Sequence, residues 1–172
     1  MDGNRNANIR LRTNLKPDDI ESIAELHRTV YGQEYGFDAT FKQYVAEPLT
    51  EFVRRRSRRE RLWIAERDGR IIGCVAVVAA SPETAQLRWF LVEPRERGLG
   101  LGCRLLNVAI AFGRGCGYER IILWTVSALS AAAHLYRRAG FEKVEEKPGR
   151  AWGVDVIAER YELNLSSAQS QT

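Results

Sequence analysis

The chain has few of the residues that build metal sites and disulfide frameworks, with three cysteines and two histidines among 172 residues. Cys74 stands in an apolar run, Cys103 in a helix-like stretch and Cys116 between two glycines, so no pair has the spacing of a zinc site or a disulfide. His27 and His134 are far apart and join no cysteine cluster. We therefore expect buried or incidental thiols and no metal cofactor.

Long apolar runs are also missing. No stretch approaches the roughly 20 apolar residues that a membrane-spanning helix needs, and residues 1–12 are polar, unlike a signal peptide. We expect a cytoplasmic protein without a membrane partner. The length is that of one domain with its own core, which we predict over residues 1–165. The low-complexity segment 166–172 is predicted to be a disordered tail.

Acidic residues are slightly outnumbered by basic ones, and the net charge is +4. One cluster supplies more than this whole excess: Arg54, Arg55, Arg56, Arg58 and Arg59. No aromatic residues are interleaved with these arginines, in contrast to many nucleic-acid-binding surfaces. The cluster is therefore typical of the solvated end of a helix, and a nucleic-acid partner is not expected.

What the sequence does have is an alternation of strand-like and helix-like segments, without internal repeats. Strands are predicted at 8–11, 62–66, 71–78, 86–92, 121–125, 141–145 and 155–163. Helices are predicted from Pro17 to about Gly32 and at 40–56, 99–112 and 130–138. Pro48 is expected to kink or divide the second helix. The Asp68-Gly69 pair predicts a tight hairpin between the second and third strands.

A glycine-rich turn after the fourth predicted strand is the most informative segment. From Val92 to Gly102 it reads V-E-P-R-E-R-G-L-G-L-G and leads into an amphipathic helix. Gly98, Gly100 and Gly102 lack the β-carbons that would keep a ligand away from the main chain, and a helix N-terminus carries partial positive charge. The segment lacks the Gly-Lys-Ser/Thr ending of a P-loop and is one residue short of G-x-G-x-x-G. The turn therefore predicts a phosphate site of another type.

This turn resembles the coenzyme A pyrophosphate loop of the GNAT N-acetyltransferases, V-x-P-x-x-R-G-x-G-x-G. A second segment, from Leu135 to Phe141, is similar to the family's L-Y-x-x-x-G-F. The resemblance extends over most of the chain and implies an α/β (α+β) fold. That fold has a mixed, mostly antiparallel sheet of about six to seven strands with splayed central strands, flanked by about four helices.

Two further segments are most similar to the acetyltransferase domain that is often fused to MarR-type transcriptional regulators: Glu34-Tyr35-Gly36 and Leu123-Trp124-Thr125. We recognise no DNA-binding half in the sequence.

The resemblance implies acetyl-CoA as cosubstrate and assigns residues to its binding. Main-chain N–H groups of six consecutive residues would hold the pyrophosphate: Arg97, Gly98, Leu99, Gly100, Leu101 and Gly102. The side chain of Arg97 or Arg104 would add positive charge. The pantetheine arm would lie between the two splayed strands and bond to the main chain of Phe90, Leu91 and Val92, where one N–H group would polarise the thioester carbonyl.

Tyr136 occupies the family's tyrosine position, where its phenol would protonate the leaving thiolate, and a packing tyrosine is the alternative interpretation. The family's asparagine falls at Leu129. Its contact with the pantetheine arm is therefore missing, or is supplied by Ser127 or by Ser130, the predicted cap of the fourth helix.

Two residues are alternative candidates for the position of the general base. Some relatives carry a glutamate where this chain has Gln86, which would orient a water instead. Glu34, in the predicted loop between the first two helices, is either the base or a solvated carboxylate. Trp89, Trp124 and Trp152 are expected in packing roles, although Trp152, in the last β-connection, is placed to close over an acceptor.

Two functions are consistent with these residues. The first is acetyl-CoA-dependent transfer of an acetyl group directly to a primary amine of a small molecule, amino acid or peptide. The second is a non-catalytic acyl-CoA sensor associated with transcriptional regulation, for which Gln86 and Leu129 leave room. The intact glycine turn and Tyr136 favour the enzyme. The sequence identifies neither the acceptor nor the oligomeric state, for which a homodimer is one alternative.

Overall fold

The computed structural model describes residues 8–55 and 57–166. Seven strands and four helices are formed in these two ranges: β1 (Arg10–Arg12), α1 (Asp19–Tyr35), α2 (Thr40–Arg55), β2 (Arg61–Arg67), β3 (Arg70–Ala79), β4 (Thr84–Val92), α3 (Leu101–Gly115), β5 (Arg120–Val126), α4 (Ser130–Arg138), β6 (Glu142–Ala151) and β7 (Val154–Asn164). A short 3-10 turn, Pro94–Glu96, precedes α3. The tail predicted at 166–172 lies, after its first residue, outside the described residues.

The seven strands form one sheet in the order β1-β2-β3-β4-β5-β7-β6. Every neighbouring pair is antiparallel except β4 and β5, which are parallel, so the predicted mixed and mostly antiparallel sheet is confirmed. The parallel pair is short, because β4 meets β5 only from Thr84 to Gln86. Beyond Gln86 the two strands diverge, and the predicted splay of the central strands is also confirmed.

A β-bulge in β4 accompanies the splay. Cys74 pairs with Leu91 and Ala76 pairs with Arg88, so two steps along β3 correspond to three along β4. Trp89 lies at the bulge with a φ of 50°, a left-handed conformation that is uncommon for a bulky residue. A bulge of this kind bends its strand locally and changes the direction in which the neighbouring side chains point.

The helices cover both faces of the sheet. On one face, α3 and α4 bury apolar side chains such as Leu105 and Leu106 against β3, β4 and β5. On the other, α1 and α2 bury Ile23 and Leu49 against β2 and β3. Because β3 is covered on both faces, its residues from Gly73 to Val78 are all buried, which explains the continuous apolar run in the sequence.

The structure differs from the predictions for three helices. The first helix runs to Tyr35 rather than Gly32, and Gly36 ends it in the left-handed conformation. The second helix continues past Pro48 as one element. The third begins at Leu101 rather than residue 99, because the glycine turn occupies the preceding residues.

The last two strands are longer than predicted. They form one hairpin about Trp152 and Gly153, which have φ values of 51° and 80° and so make the same kind of tight turn as Asp68-Gly69. The sequence obscured this hairpin because Pro148 lies within β6. Since β6 is the edge strand, the missing N–H group of Pro148 costs no hydrogen bond toward a further strand.

Candidate active site

A cleft at the open end of the splayed strands contains the glycine turn. We call it the glycine cleft, and its volume is about 580 Å³. It brings together eight of the residues that the sequence predicted for coenzyme binding: Phe90, Leu91, Val92, Arg97, Gly98, Gly100, Gly102 and Ser130. It also contains residues that the sequence analysis missed: Tyr31, Tyr35, Cys103, Ala131, Ala132, His134, Leu135 and Arg138. The remaining lining residue is Leu129, at the asparagine position.

Two of the three glycines in the turn leave its main chain open. Gly98 and Gly100 have φ values of 77° and 85°, and a β-carbon built on either would meet no atom within 4 Å. Open space above main-chain N–H groups, at the start of a helix, is the arrangement that binds phosphate groups. The turn therefore fits a pyrophosphate.

Gly102 has a different role. A β-carbon on Gly102 would lie 2.8 Å from Cδ1 of Leu135 and 3.6 Å from Cζ of Phe90. This glycine therefore allows α3 and α4 to approach each other closely. Its position within the motif is explained by helix packing as well as by any contact with a ligand.

Three predicted coenzyme-binding residues do not line the glycine cleft. Leu101 is buried in the core beside Gly73. The side chain of Arg104 is exposed on α3, and Leu99 lies in the turn before the helix. For Leu99 and Leu101 the prediction concerned main-chain groups, so it stays a prediction. Ser130 lines the cleft but is the first residue of α4, and Leu129 is the residue that precedes the helix as its N-cap.

Glu34 and Arg97 form an ion pair at the edge of the glycine cleft. Nη1 of Arg97 lies 2.9 Å from Oε2 of Glu34, and Nε of Arg97 donates a hydrogen bond to the main-chain oxygen of Val92. Glu34 was predicted in a loop but lies in the last turn of α1. Its carboxylate is therefore held beside a guanidinium, and the residue is absent from the lining of the cavity that contains Gln86.

A second cavity, which we call the aromatic cavity, has a volume of about 450 Å³. It contains both Gln86 and Tyr136, the residues to which the sequence analysis gave candidate roles as base position and general acid. Eight further aromatic residues line it: Tyr31, Phe37, Phe41, Tyr44, Trp89, Phe90, Trp124 and Trp152. Its polar wall residues also include His27, Arg88 and Thr125, which the sequence analysis had not assigned to a site.

Trp152 closes one end of the aromatic cavity. Its ring centroid lies 4.8 Å from that of Phe37, 4.9 Å from that of Phe41 and 5.0 Å from that of Tyr44. The main-chain N–H of Asp38 donates a hydrogen bond of 2.9 Å to the main-chain oxygen of Trp152. The tip of the β6–β7 hairpin is therefore attached to the segment between α1 and α2.

The two cavities share a wall made of Tyr31, Phe90 and Leu129. Tyr136 packs on this wall, with its ring centroid 5.8 Å from that of Phe90. Burial raises the pKa of Tyr136 above its ordinary value, so the phenol is protonated at neutral pH and can donate a proton or hydrogen bond. A ligand in the glycine cleft can thus meet a ligand in the aromatic cavity beside a protonated phenol.

His27 is a buried residue that sequence reasoning placed only on the apolar face of α1. Its Nδ1 lies 2.8 Å from the main-chain oxygen of Ile23, so that nitrogen carries the proton. Burial lowers the pKa of His27 to about 4, which keeps the imidazole neutral at pH 7. Among the described residues, Nε2 of His27 has no hydrogen-bond partner. The lone pair of Nε2 is therefore available in the wall of the aromatic cavity.

The sheet opens between its two central parallel strands, and a glycine turn of the phosphate-binding type lies at this opening. This arrangement is typical of a protein that binds a phosphate-containing ligand between those strands. Comparison with known proteins identifies the class. The model of the acetyltransferase (GNAT) family matches residues 20–141. An N-acetyltransferase of Schizosaccharomyces pombe is 32% identical over 142 residues, covering 81% of this chain and 86% of that protein.

Solved structures share the fold. The protein yncA of Salmonella typhimurium, solved with its cofactor acetyl-CoA, has a TM-score of 0.69 at 19% identity, covering 95% of this chain and 98% of that one. Spermidine N-acetyltransferase from Vibrio cholerae, in complex with CoA and spermine, has a TM-score of 0.71 at 20% identity, covering 94% of this chain and 98% of that one.

The chain belongs to the acetyltransferase (GNAT) family. It is an N-acetyltransferase, and acetyltransferases of this family use acetyl-CoA. Within residues 8–55 and 57–166, no three His, Cys, Asp or Glu side chains are grouped as metal ligands. In the same part of the chain, no helix is both long and apolar enough to cross a bilayer.

Proposed function

We propose that this enzyme transfers the acetyl group of acetyl-CoA directly to a primary amine of a small molecule, amino acid or peptide bound in the aromatic cavity. The observation that carries the proposal is the shared wall of Tyr31, Phe90 and Leu129. It allows a thioester in the glycine cleft and an amine in the aromatic cavity to come into contact without leaving the protein.

The chain offers separate groups for each part of the coenzyme. Acetyl-CoA supplies an activated acetyl thioester. The main chain at Gly98 and Gly100 would hold the pyrophosphate, and Arg138 at the end of α4 would add positive charge. Since β4 does not pair with β5 beyond Gln86, the main chain of Phe90 and Leu91 is free on that side to bond the pantetheine arm.

Proton transfer is assigned to groups in the aromatic cavity. The Tyr136 hydroxyl would donate the proton that the leaving thiolate needs. Gln86 would orient a water that removes the ammonium proton, since its side chain lines the same cavity. His27 Nε2 offers a hydrogen-bond acceptor to the amine. The ion pair of Glu34 with Arg97 makes Gln86 the better supported of the two predicted positions for the base.

The test is release of coenzyme A from acetyl-CoA across a panel of primary amines, comparing the wild-type protein with Tyr136→Phe. We expect kcat to fall by about 100-fold or more in the variant, with acetyl-CoA affinity largely retained, because only the proton donor is lost. Tyr118→Phe is the control, since it also removes one hydroxyl of a buried tyrosine but lines neither cavity. If kcat of Tyr136→Phe is within about twofold of wild type, Tyr136 is not the proton donor and has only a packing role.

The alternative function is a non-catalytic acyl-CoA sensor associated with transcriptional regulation. Gln86 in place of a carboxylate and Leu129 in place of an asparagine are the observations that favour it. A sensor would bind acetyl-CoA but release no coenzyme A above the spontaneous rate with any amine in the panel. Measurable transfer with any amine would exclude a purely sensory role.

A further inference from the structure

Among the described residues, Arg88 is the only charged one that lines the aromatic cavity. Its guanidinium lies 4.8 Å from the centroid of the Trp89 ring, a distance at which the positive charge is attracted to the ring face. Within the described part of the chain, Arg88 forms no ion pair, and the cavity is lined by no aspartate or glutamate. A cation therefore faces the acceptor site without an acidic partner.

The surroundings of Arg88 destabilise its positively charged form. Burial lowers the pKa of Arg88, while the neighbouring Tyr44 phenol acts in the opposite direction and Arg55 adds to the lowering. An acceptor that carries only ammonium groups would bring more positive charge to this guanidinium and would find no carboxylate to neutralise it. An acceptor that carries an anionic group would instead stabilise the charged guanidinium.

We propose, building on the proposed function, that the acceptor is an amino acid whose carboxylate is bound by Arg88 and whose side chain is apolar. A guanidinium matches a carboxylate with two parallel N–H donors. The aromatic wall formed by Phe41, Tyr44 and Trp152 provides the surface for the side chain. Spermine-like acceptors are disfavoured by the same arrangement.

Two unpartnered polar atoms in the same cavity support an amino acid. Nε2 of His27 and Oγ1 of Thr125 are buried and, among the described residues, have no hydrogen-bond partner. Buried polar atoms are normally paired, so such atoms in a cavity wall point to a polar ligand. Nε2 accepts a hydrogen bond from an amine, whereas Arg88 donates to a carboxylate. The cavity thus holds complementary groups for both ends of an amino acid.

The experiment compares each amino acid with the amine that lacks its carboxylate, namely phenylalanine with phenethylamine and leucine with 3-methylbutylamine. We expect wild-type kcat/KM to be at least about 30-fold higher for the amino acid of each pair. Arg88→Met should remove this preference by lowering kcat/KM for the amino acid, while the value for the amine stays within about threefold. Arg55→Met is the control, because Arg55 is an arginine near Arg88 that does not line the cavity.

Two results would overturn the inference. One is a wild-type preference for the decarboxylated amine or for spermine. The other is an equal loss for both members of a pair in Arg88→Met. If that variant fails to fold by thermal melting, Arg88→Lys replaces it, and we expect an intermediate preference because the charge is kept but the paired donors are lost.

A separate readout distinguishes this inference from the proposed function. If no amine releases coenzyme A, the proposed function fails, and binding of phenylalanine and phenethylamine is then measured by calorimetry in the presence of coenzyme A. Binding of phenylalanine that is lost in Arg88→Met would still support the carboxylate site. Absence of phenylalanine binding to the wild-type protein would refute it.

Discussion

Protonation of His27 should make the fold sensitive to mild acid. The pKa of His27 is about 4 in the folded protein and about 6.5 in an unfolded chain, so the unfolded state binds more protons between these values. Stability is therefore complete above about pH 6.5 and is lost as the pH falls toward 4. At about 1.4 kcal/mol per pKa unit, the shift corresponds to a loss of about 3 kcal/mol, a large share of a typical domain's stability.

The pH window separates His27 from the buried carboxylates. Asp19 and Glu66 are buried, which by itself raises their pKa, but hydrogen bonds from Arg12 lower both below their ordinary values of 3.8 and 4.5. Stability that depends on these two groups is present above those ordinary values and is lost only as the pH falls below them. Between pH 6.5 and about 4.5, the expected loss of stability is therefore due to protonation of His27.

The assay is urea unfolding of the wild-type protein and of His27→Phe at several pH values from 7 to 4.5. The phenyl ring does not titrate and retains a flat surface toward Tyr31, whose ring stacks on His27 at 5.9 Å. We expect the wild-type free energy of unfolding to fall over this range and that of His27→Phe to change much less. His134→Gln, which removes the exposed histidine, should behave like the wild type. The same pH dependence in wild type and His27→Phe would refute the reasoning.

Two further predictions concern the glycine cleft. A saturating concentration of acetyl-CoA, about 100 times its dissociation constant, should raise the free energy of unfolding by about 2.7 kcal/mol. Gly100→Glu should abolish this stabilisation, because the carboxylate fills the open space above the turn and repels the pyrophosphate; an unchanged thermal shift in the folded variant would contradict the binding assignment. Glu34→Gln should change the KM for acetyl-CoA by freeing Arg97, with kcat within about threefold of wild type. A large fall in kcat with a changed pH profile would instead assign the base to Glu34.

The sequence predicted the features that depend on local chemistry. The glycine turn and the Asp68-Gly69 hairpin were recognisable because left-handed conformations demand particular residues in short segments, and both have the expected φ values. The order of strands and helices followed from hydrophobic periodicity. The last two strands were predicted, but the tight turn at Trp152 between them was missed, since a tryptophan in a left-handed conformation carries no such signal and Pro148 argued against a longer strand.

The aromatic cavity depends on packing between distant segments and could be predicted only in part. Gln86 and Tyr136 were placed by the family resemblance, and both line it. Arg88 and His27 were not recognised, because an arginine in a strand and a histidine on an apolar helix face have ordinary structural roles in most proteins. Their significance depends on what surrounds them: the aromatic cavity has no carboxylate among its described lining residues, and Nε2 of His27 has no hydrogen-bond partner among the described residues.

The attachment of the hairpin tip to the segment between α1 and α2 has a consequence for attempts to redesign this enzyme. Asp38 is bonded to Trp152, and a β-carbon on Gly153 would lie 2.8 Å from the Asp38 carboxylate, so two segments more than a hundred residues apart in sequence fit each other closely. In a library that varies only one of these segments, most variants would have a hairpin tip that no longer packs against the other segment. If the proposed function holds, varying residues 37–44 together with 151–154 should change the specificity for the acceptor, while the glycine turn stays intact.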